Sequence, residues 1–166
     1  MSATRRGRSA SAASATTRLP TSSTSTREEC ATGNRSVISK RRSKIQGWGV
    51  FATRPIPKNK RIVDYAGEKI PTRESLKREA RYLKTGRIWC FKLNSRAVRD
   101  ASVGGNIARF INHSCAPNCY THIVRDTIWI RAARNIRRGE ELTYDYATDG
   151  ESGIRCRCRP GCKTRL

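Results

Sequence analysis

From Ser36 onward the apolar residues of this chain come in short runs, each cut off by glycine, proline or a cluster of charge. WGVFA (48–52), then RPIPKNK, then IVDYA (62–66) set the pattern, and FKL (91–93), IVR and TIWIRA (123–132) continue it. Such runs at brief intervals predict short strands in small sheets rather than a parallel βαβ array. One helix interrupts them. Thr72 is placed to cap it, residues 73–84 lack Gly and Pro, and Gly86 ends it. Leu76, Ala80 and Leu83 recur at i, i+4 and i+7 and give that helix one narrow apolar face. The expected fold class is mainly β, with one inserted helix and a cysteine-rich tail, and no internal repeat is evident.

Residues 1–36 differ in kind. Ser, Thr, Ala and Arg dominate there, and no acid precedes Glu28. Such a stretch buries too little apolar surface to order itself, so a disordered basic tail is expected. Arg5, Arg6, Arg8 and Arg18 also suit a transit peptide, but a solvated tail is the preferred reading. No apolar run reaches the length of a membrane span, and no apolar h-region marks an ordinary secretory signal. The formal net charge of +22 suits polyanionic surroundings, so non-specific nucleic-acid binding is a partner class to test.

Seven cysteines are present, an odd number, and without a secretion signal a disulfide framework is the weaker interpretation. Cys156, Cys158 and Cys162 lie in CRCRPGC, a spacing that suits thiolates converging on one zinc ion. Three ligands do not close a structural site. A fourth must come from elsewhere, and Cys115 is the candidate.

Cys115 sits in RFINHSCAPNC (109–119), where Arg, Asn, His, Ser and two Cys crowd into eleven residues. Buried side chains this polar need partners or a ligand. Asn112 and His113 could hydrogen-bond a polar ligand, whereas Cys119 reads as a small buried residue. Cys115 and His113 also share a strand face, as a thiol nucleophile and its base would, but nothing evident orients the His. Gly47-Trp48-Gly49 permits close backbone approach; alone it marks a turn, and it opens no helix of a dinucleotide fold. In GEELTYDY (139–146), Tyr144 and Tyr146 fall on one face of an extended segment. They could line a narrow channel or simply belong to the core.

In this order, GWGVF (47–51), DYAGE (64–68), GGNIARFINHSCAPNC (104–119), GEELTYDY (139–146) and CRCRPGC (156–162) resemble the SET-domain family of protein-lysine methyltransferases. Coverage runs from about Lys44 to the C-terminus, and the chain looks like the compact SET proteins that also occur in bacteria. The resemblance implies a disordered tail at 1–36, a SET domain at 37–148 and a post-SET zinc-binding tail at 149–166. It implies a β-clip fold of small sheets with a knot-like crossing of the NHSC and GEELTYDY segments. It implies S-adenosylmethionine held by Gly47, Trp48, Gly49, Arg109, Asn112 and His113. Tyr146 would be the catalytic tyrosine, Tyr65 would line the lysine channel, and Tyr144 would limit the degree of methylation. Cys115 would join Cys156, Cys158 and Cys162 around a structural zinc.

Two departures stand out. The last gap in the tail is three residues where the family commonly has four, and Trp89 replaces a tyrosine at the lysine entrance. The implied substrate is a histone tail or another basic, DNA-associated protein, in nuclear chromatin or in a bacterial cytoplasm and nucleoid. The competing reading is a non-catalytic, zinc-stapled module binding chromatin or nucleic acid, which leaves RFINHSC and GEELTYDY unexplained.

Overall fold

A computed structural model describes residues 36–150 and 152–166. The tail expected at 1–36 lies, but for its last residue, outside the described residues. Ten short strands form three small sheets around one core. The first sheet has the order β1 (Ile38–Arg42), β2 (Trp48–Ala52), β10 (Glu141–Tyr144), β7 (Asn112–His113). The second has β3 (Arg61–Asp64), β9 (Thr127–Ala132), β8 (Cys119–Val124), and the third β4 (Glu68–Pro71), β6 (Ala97–Asp100), β5 (Cys90–Lys92). WGVFA and TIWIRA are strands, as their short apolar runs predict. The β9 residues alternate between partly buried and buried, as a half-covered pleat requires. Ile111, Ile128, Ile130, Ile136, Leu142 and Val50 are the large apolar side chains fully removed from water.

The crossing arises in the first sheet. The last strand, β10, slots between β2, with which it runs antiparallel, and the two-residue β7, with which it runs parallel. Thr143 faces Asn112 and Tyr144 faces His113. Two sequence-distant polar segments are thereby brought side by side.

The reading of no internal repeat needs correction. Residues 52–59 (ATRPIPKN) and 132–139 (AARNIRRG) follow the same path, with Ala, Arg and Ile in step at their first, third and fifth positions. Ile56 and Ile136 exchange backbone hydrogen bonds of 2.9 Å each. Ala52 pairs with Gly139 and Glu140 as Ala132 pairs with Asn59 and Lys60. Both segments end in the left-handed region, at Asn59 (φ 65) and Gly139 (φ 85). The likeness lives in a few buried positions and one backbone turn, too little for sequence comparison to notice.

The helix, α1 (Thr72–Leu83), lies where expected but docks differently. Pro71, not Thr72, stands at the N-cap, and the Thr72 hydroxyl donates to Ser95 O instead. Leu76, assigned to the buried face, is 64% exposed. The helix is anchored through a polar face. Arg78 and the Tyr82 hydroxyl both donate to Asp100, at 2.9 Å each, and Asp100 is fully buried. Burial alone would raise the Asp100 pKa, but the Arg78 guanidinium, the Ser102 N–H and hydroxyl and the Tyr82 hydroxyl hold it below the usual carboxylate range.

Removing one partner of such a buried pair leaves the other uncompensated. Asp100→Asn is therefore expected to cost about 3 kcal/mol in urea unfolding, softened because Glu68 and Glu74 still pair with Arg78. A depressed carboxylate contributes stability above its unfolded pKa of about 3.9 and loses it as pH falls through the folded value. The Asn variant should lack that part of the acid dependence. An unchanged midpoint would show that the network carries no weight.

Candidate active site and metal cluster

Two cavities stand out among the described residues. An open groove of about 1090 Å³ lies between the paired segments at 55–57 and 134–140. A cleft of about 430 Å³ gathers Gly47, Trp48, Trp89, Arg109, Asn112 and Tyr146, with Ile154 and Leu166 from the tail. The smaller cleft is the candidate site, because the residues singled out from sequence converge there, and its volume falls within the range of small-molecule pockets.

The wall at 43–49 is held by one carboxylate. Glu141 accepts from the Ser43 hydroxyl (2.7 and 3.0 Å) and from Asn112 Nδ2 (2.9 Å). Asn112 Nδ2 also donates to Trp48 O at 3.0 Å, which ties the turn to β7. Each glycine has its own reason. Gly47 adopts φ 48, and a Cβ on Gly49 would stand 2.2 Å from Glu141 Oε1. The close approach that Gly49 permits is thus to a carboxylate of the chain itself. Trp48 remains 42% exposed, with Lys40 and Arg42 stacked over its ring.

Behind the cleft, four rings stand in series. Tyr65 meets Phe91 at 5.6 Å, Phe91 meets Tyr144 at 6.2 Å, and Tyr144 meets Tyr146 at 4.9 Å between centroids. Tyr65 donates to Trp89 O (2.9 Å) and Tyr146 donates to Ile111 O (2.8 Å), so both phenol oxygens keep lone pairs to accept with. Among the described residues no hydrogen bond ends on the Tyr144 hydroxyl. Burial pushes all three phenols up, with neighbouring phenols adding to it for Tyr65 and Tyr144 and Glu141 for Tyr146. All three are neutral hydrogen-bonding groups at ordinary pH. Phe91 was not anticipated as a site residue; its signal, an aromatic beside Trp89 in WCF, is weak.

Arg109 reaches the cleft from the 3₁₀ turn Ile107–Phe110. Its Nη1 donates to Ala101 O (3.1 Å), while its Nε is buried without a partner among the described residues. Such an orphaned donor is costly unless a ligand accepts from it. Trp89 packs against Tyr82 (5.5 Å) and lies under Arg87 and Arg109. His113 is buried; its Nδ1 accepts from Tyr146 N (3.2 Å), which leaves Nε2 facing Cys115 Sγ at 3.5 Å. Burial lowers the His113 pKa against the opposing pull of Asp145.

The sulfurs of Cys115, Cys156, Cys158 and Cys162 all lie within 4.8 Å of one another, and Cys115 is 3.8 Å from Cys156 and 3.7 Å from Cys162. Four thiolates placed tetrahedrally at about 2.3 Å from one ion would be about 3.8 Å apart. The cluster therefore fits a metal despite the shortened gap before Cys162. Thr164, through its hydroxyl and backbone, holds the Cys162 thiol down to about 6, toward the ionised form a metal takes. A metal held in this cluster would occupy the sulfur that the nucleophile pairing with His113 needs. Cys119 is buried apart from it, and burial pushes its thiol up to about 12. No described helix is long and apolar enough to cross a membrane.

Comparison with known proteins bears on the same residues. The SET domain family model matches residues 47–147. The chain is 49% identical over 131 residues to the histone-lysine N-methyltransferase trr of Drosophila melanogaster, covering 74% of this chain and 5% of that one. It is 43% identical over 136 residues to the histone-lysine N-methyltransferase, H3 lysine-4 specific, of Candida albicans, covering 75% and 13%. The Debaryomyces hansenii protein of the same name is 42% identical over 140 residues, covering 78% and 13%. The chain spans about an eighth or less of the length of these relatives.

Proposed function

The chain belongs to the SET-domain family, and on that premise we propose that it transfers a methyl group from S-adenosylmethionine to a lysine side chain of a histone. The observation that carries the proposal is the row of Tyr65, Phe91, Tyr144 and Tyr146, which opens beside a cleft of cofactor size. Residues 37–148 then form the catalytic domain, and 149–166 a tail closed by zinc. Chromatin would be its place of work.

When bound, S-adenosylmethionine supplies a methyl group on a positively charged sulfur. Gly47, Trp48 and Asn112, which line the cleft, would hold it with His113 next to Asn112 on β7, and the Arg109 Nε offers a donor to its carboxylate. The chain's remaining task is to present a neutral amine. Lysine is protonated in water, with a pKa near 10.4. An aromatic channel disfavours the ammonium by desolvation, so the proton leaves through water without a dedicated base. The Tyr146 proton is committed to Ile111 O, and its oxygen can therefore accept from the amine and fix its direction. That is catalysis by alignment.

The test is methyl transfer from labelled S-adenosylmethionine to core histones and an H3 tail peptide, read by mass spectrometry. H3 lysine 4, for which the fungal relatives are named, is the first position to inspect. Label on lysine supports the proposal; no label on any histone, despite bound cofactor, overturns its substrate. The Tyr144 side chain is buried, its hydroxyl makes no hydrogen bond to described residues, and it is placed to occupy the space a further methyl would need. Tyr144→Phe should convert the more highly methylated lysine from a minor to the main product at a similar total rate. An unchanged product ratio would remove Tyr144 from that role.

A further inference from the structure

We propose that the groove between the two equivalent segments is a second binding surface, which takes the phosphodiester backbone of duplex DNA. Its composition is one-sided. Arg134, Arg137 and Arg138 line it, and Arg54, Lys58 and Lys60 stand exposed on or next to the other segment. Glu140 is the acid within the groove wall, and it is already spoken for. It accepts from Arg134, from Asn118 Nδ2 (3.1 Å) and from the Arg137 backbone N–H (2.9 Å). Burial works against its charge, but these donors hold its pKa down to about 2. Among the described residues no ion pair involves Arg54, Lys58, Lys60, Arg137 or Arg138. Two unpaired cations thus line the groove and three more stand exposed beside it, a repulsion that a polyanion would relieve.

The shape narrows the ligand. The floor is Ile56 and Ile136, buried and backbone-paired, and the rims are Pro55 and Pro57. No aromatic side chain lines the groove, so it has no platform on which unpaired bases could stack, the usual device for single strands. What remains is charge arranged along a trough, the means by which proteins hold duplex backbone without reading sequence.

The groove is also distinct from the cleft. Strands β2 and β10 run from one to the other, with Trp48 and Tyr146 at the cleft end and Ala52 and Glu140 at the groove end. At about 3.3 Å per residue the two are roughly 13–20 Å apart. Bound DNA would leave the cleft open to a peptide.

The experiment is fluorescence anisotropy of the full chain with a labelled 30-bp duplex across a salt series. Arg137→Ala/Arg138→Ala and Arg54→Ala/Lys58→Ala should each weaken binding about tenfold near 0.1 M salt. Each should also flatten the slope of log affinity against log salt by about 2. The charge-matched control is Arg73→Ala/Lys77→Ala, on the exposed side of α1, which should move both readings far less. Equal losses in control and groove variants would overturn the proposal, leaving net charge alone. Tighter binding to single strands, duplex RNA or polyglutamate than to duplex DNA would overturn it in favour of that ligand. The assay contains neither cofactor nor histone, so its outcome is independent of the methyl-transfer reading. Unaltered methylation of an H3 tail peptide by the Arg137/Arg138 variant would support the separation of the two surfaces.

Discussion

Tyr146→Phe is expected to lose at least about a hundredfold in methyl transfer while binding S-adenosylmethionine as the unmodified chain does. The two effects separate because the phenol oxygen, at the junction of the cleft and the ring series, is the atom the substitution removes. The ring itself remains packed beside Tyr144 and His113. A structural cost comes with it, since Ile111 O loses its donor, on the order of 1 kcal/mol. Thermal unfolding must therefore accompany the rate. Tyr82→Phe is the matching control: it removes a partly buried hydroxyl that donates to Asp100 away from the cleft lining. If both variants lose activity in proportion to stability, Tyr146 is only a core tyrosine. If Tyr146→Phe turns over normally, the alignment role is gone. The pH dependence gives an independent reading. Burial first, and then the Glu141 charge, push the phenol pKa up, which favours the protonated phenol over a base. The rate in the unmodified chain should rise with pH as more lysine is neutral, and the slope should be the same in a residually active Tyr146→Phe chain. A slope present only with Tyr146 would mean that the phenol itself titrates in the reaction.

Which parts of this site could be read from sequence follows from how local each signal is. TIWIRA pairs with its neighbour β8 across the tight turn at Arg125 and Asp126, so its alternation and its partner lie within a dozen residues. CRCRPGC likewise gathers its ligands locally, and only the fourth, Cys115, had to be sought at a distance. Strand β7 is different. Two polar residues carry no periodicity, and they become a strand only because β10 arrives beside them 31 residues later. The buried face of α1 was misread for the same reason. A 3.6-residue pattern finds apolar stripes, whereas Arg78 and Tyr82 turn inward toward Asp100, a charge on a strand that no local window contains. Resemblance to a family singled out Tyr146 and Asn112, whose hydrogen-bond partners lie far off in sequence. It did not find Phe91, nor the reason for Gly49, because both depend on which side chain stands opposite in three dimensions.

Removing the metal should cost cofactor affinity at least about tenfold, a structural effect rather than a chemical one. Four thiolates leave no open position for a reacting group. The tail they hold nevertheless forms part of the cleft: Ile154 and Leu166 line it, and Leu166 is buried. Within the tail, Leu166 N donates to Ile154 O (2.9 Å) and Cys156 N to Thr164 O (2.9 Å), which shapes it but does not attach it. Among the described residues, the hydrogen bonds between 152–166 and the preceding domain all end on Cys115. An ion shared by Cys115 and the three tail cysteines would therefore be the rivet. Chelation, with metal loss verified by elemental analysis, should free the tail, expose the cleft and weaken S-adenosylmethionine binding in calorimetry, while the sheets of the domain stay folded. Cys158→Ser should act in the same direction. Leu166→Ala separates the rivet from the wall it holds: zinc should remain bound while cofactor affinity falls several-fold, as a buried leucine is cut back. If verified zinc loss left cofactor binding untouched, the tail would not be a wall of the site. If Leu166→Ala did nothing while chelation abolished binding, the metal would act through Cys115 and His113 on β7 instead, the other route by which the cluster touches the cleft.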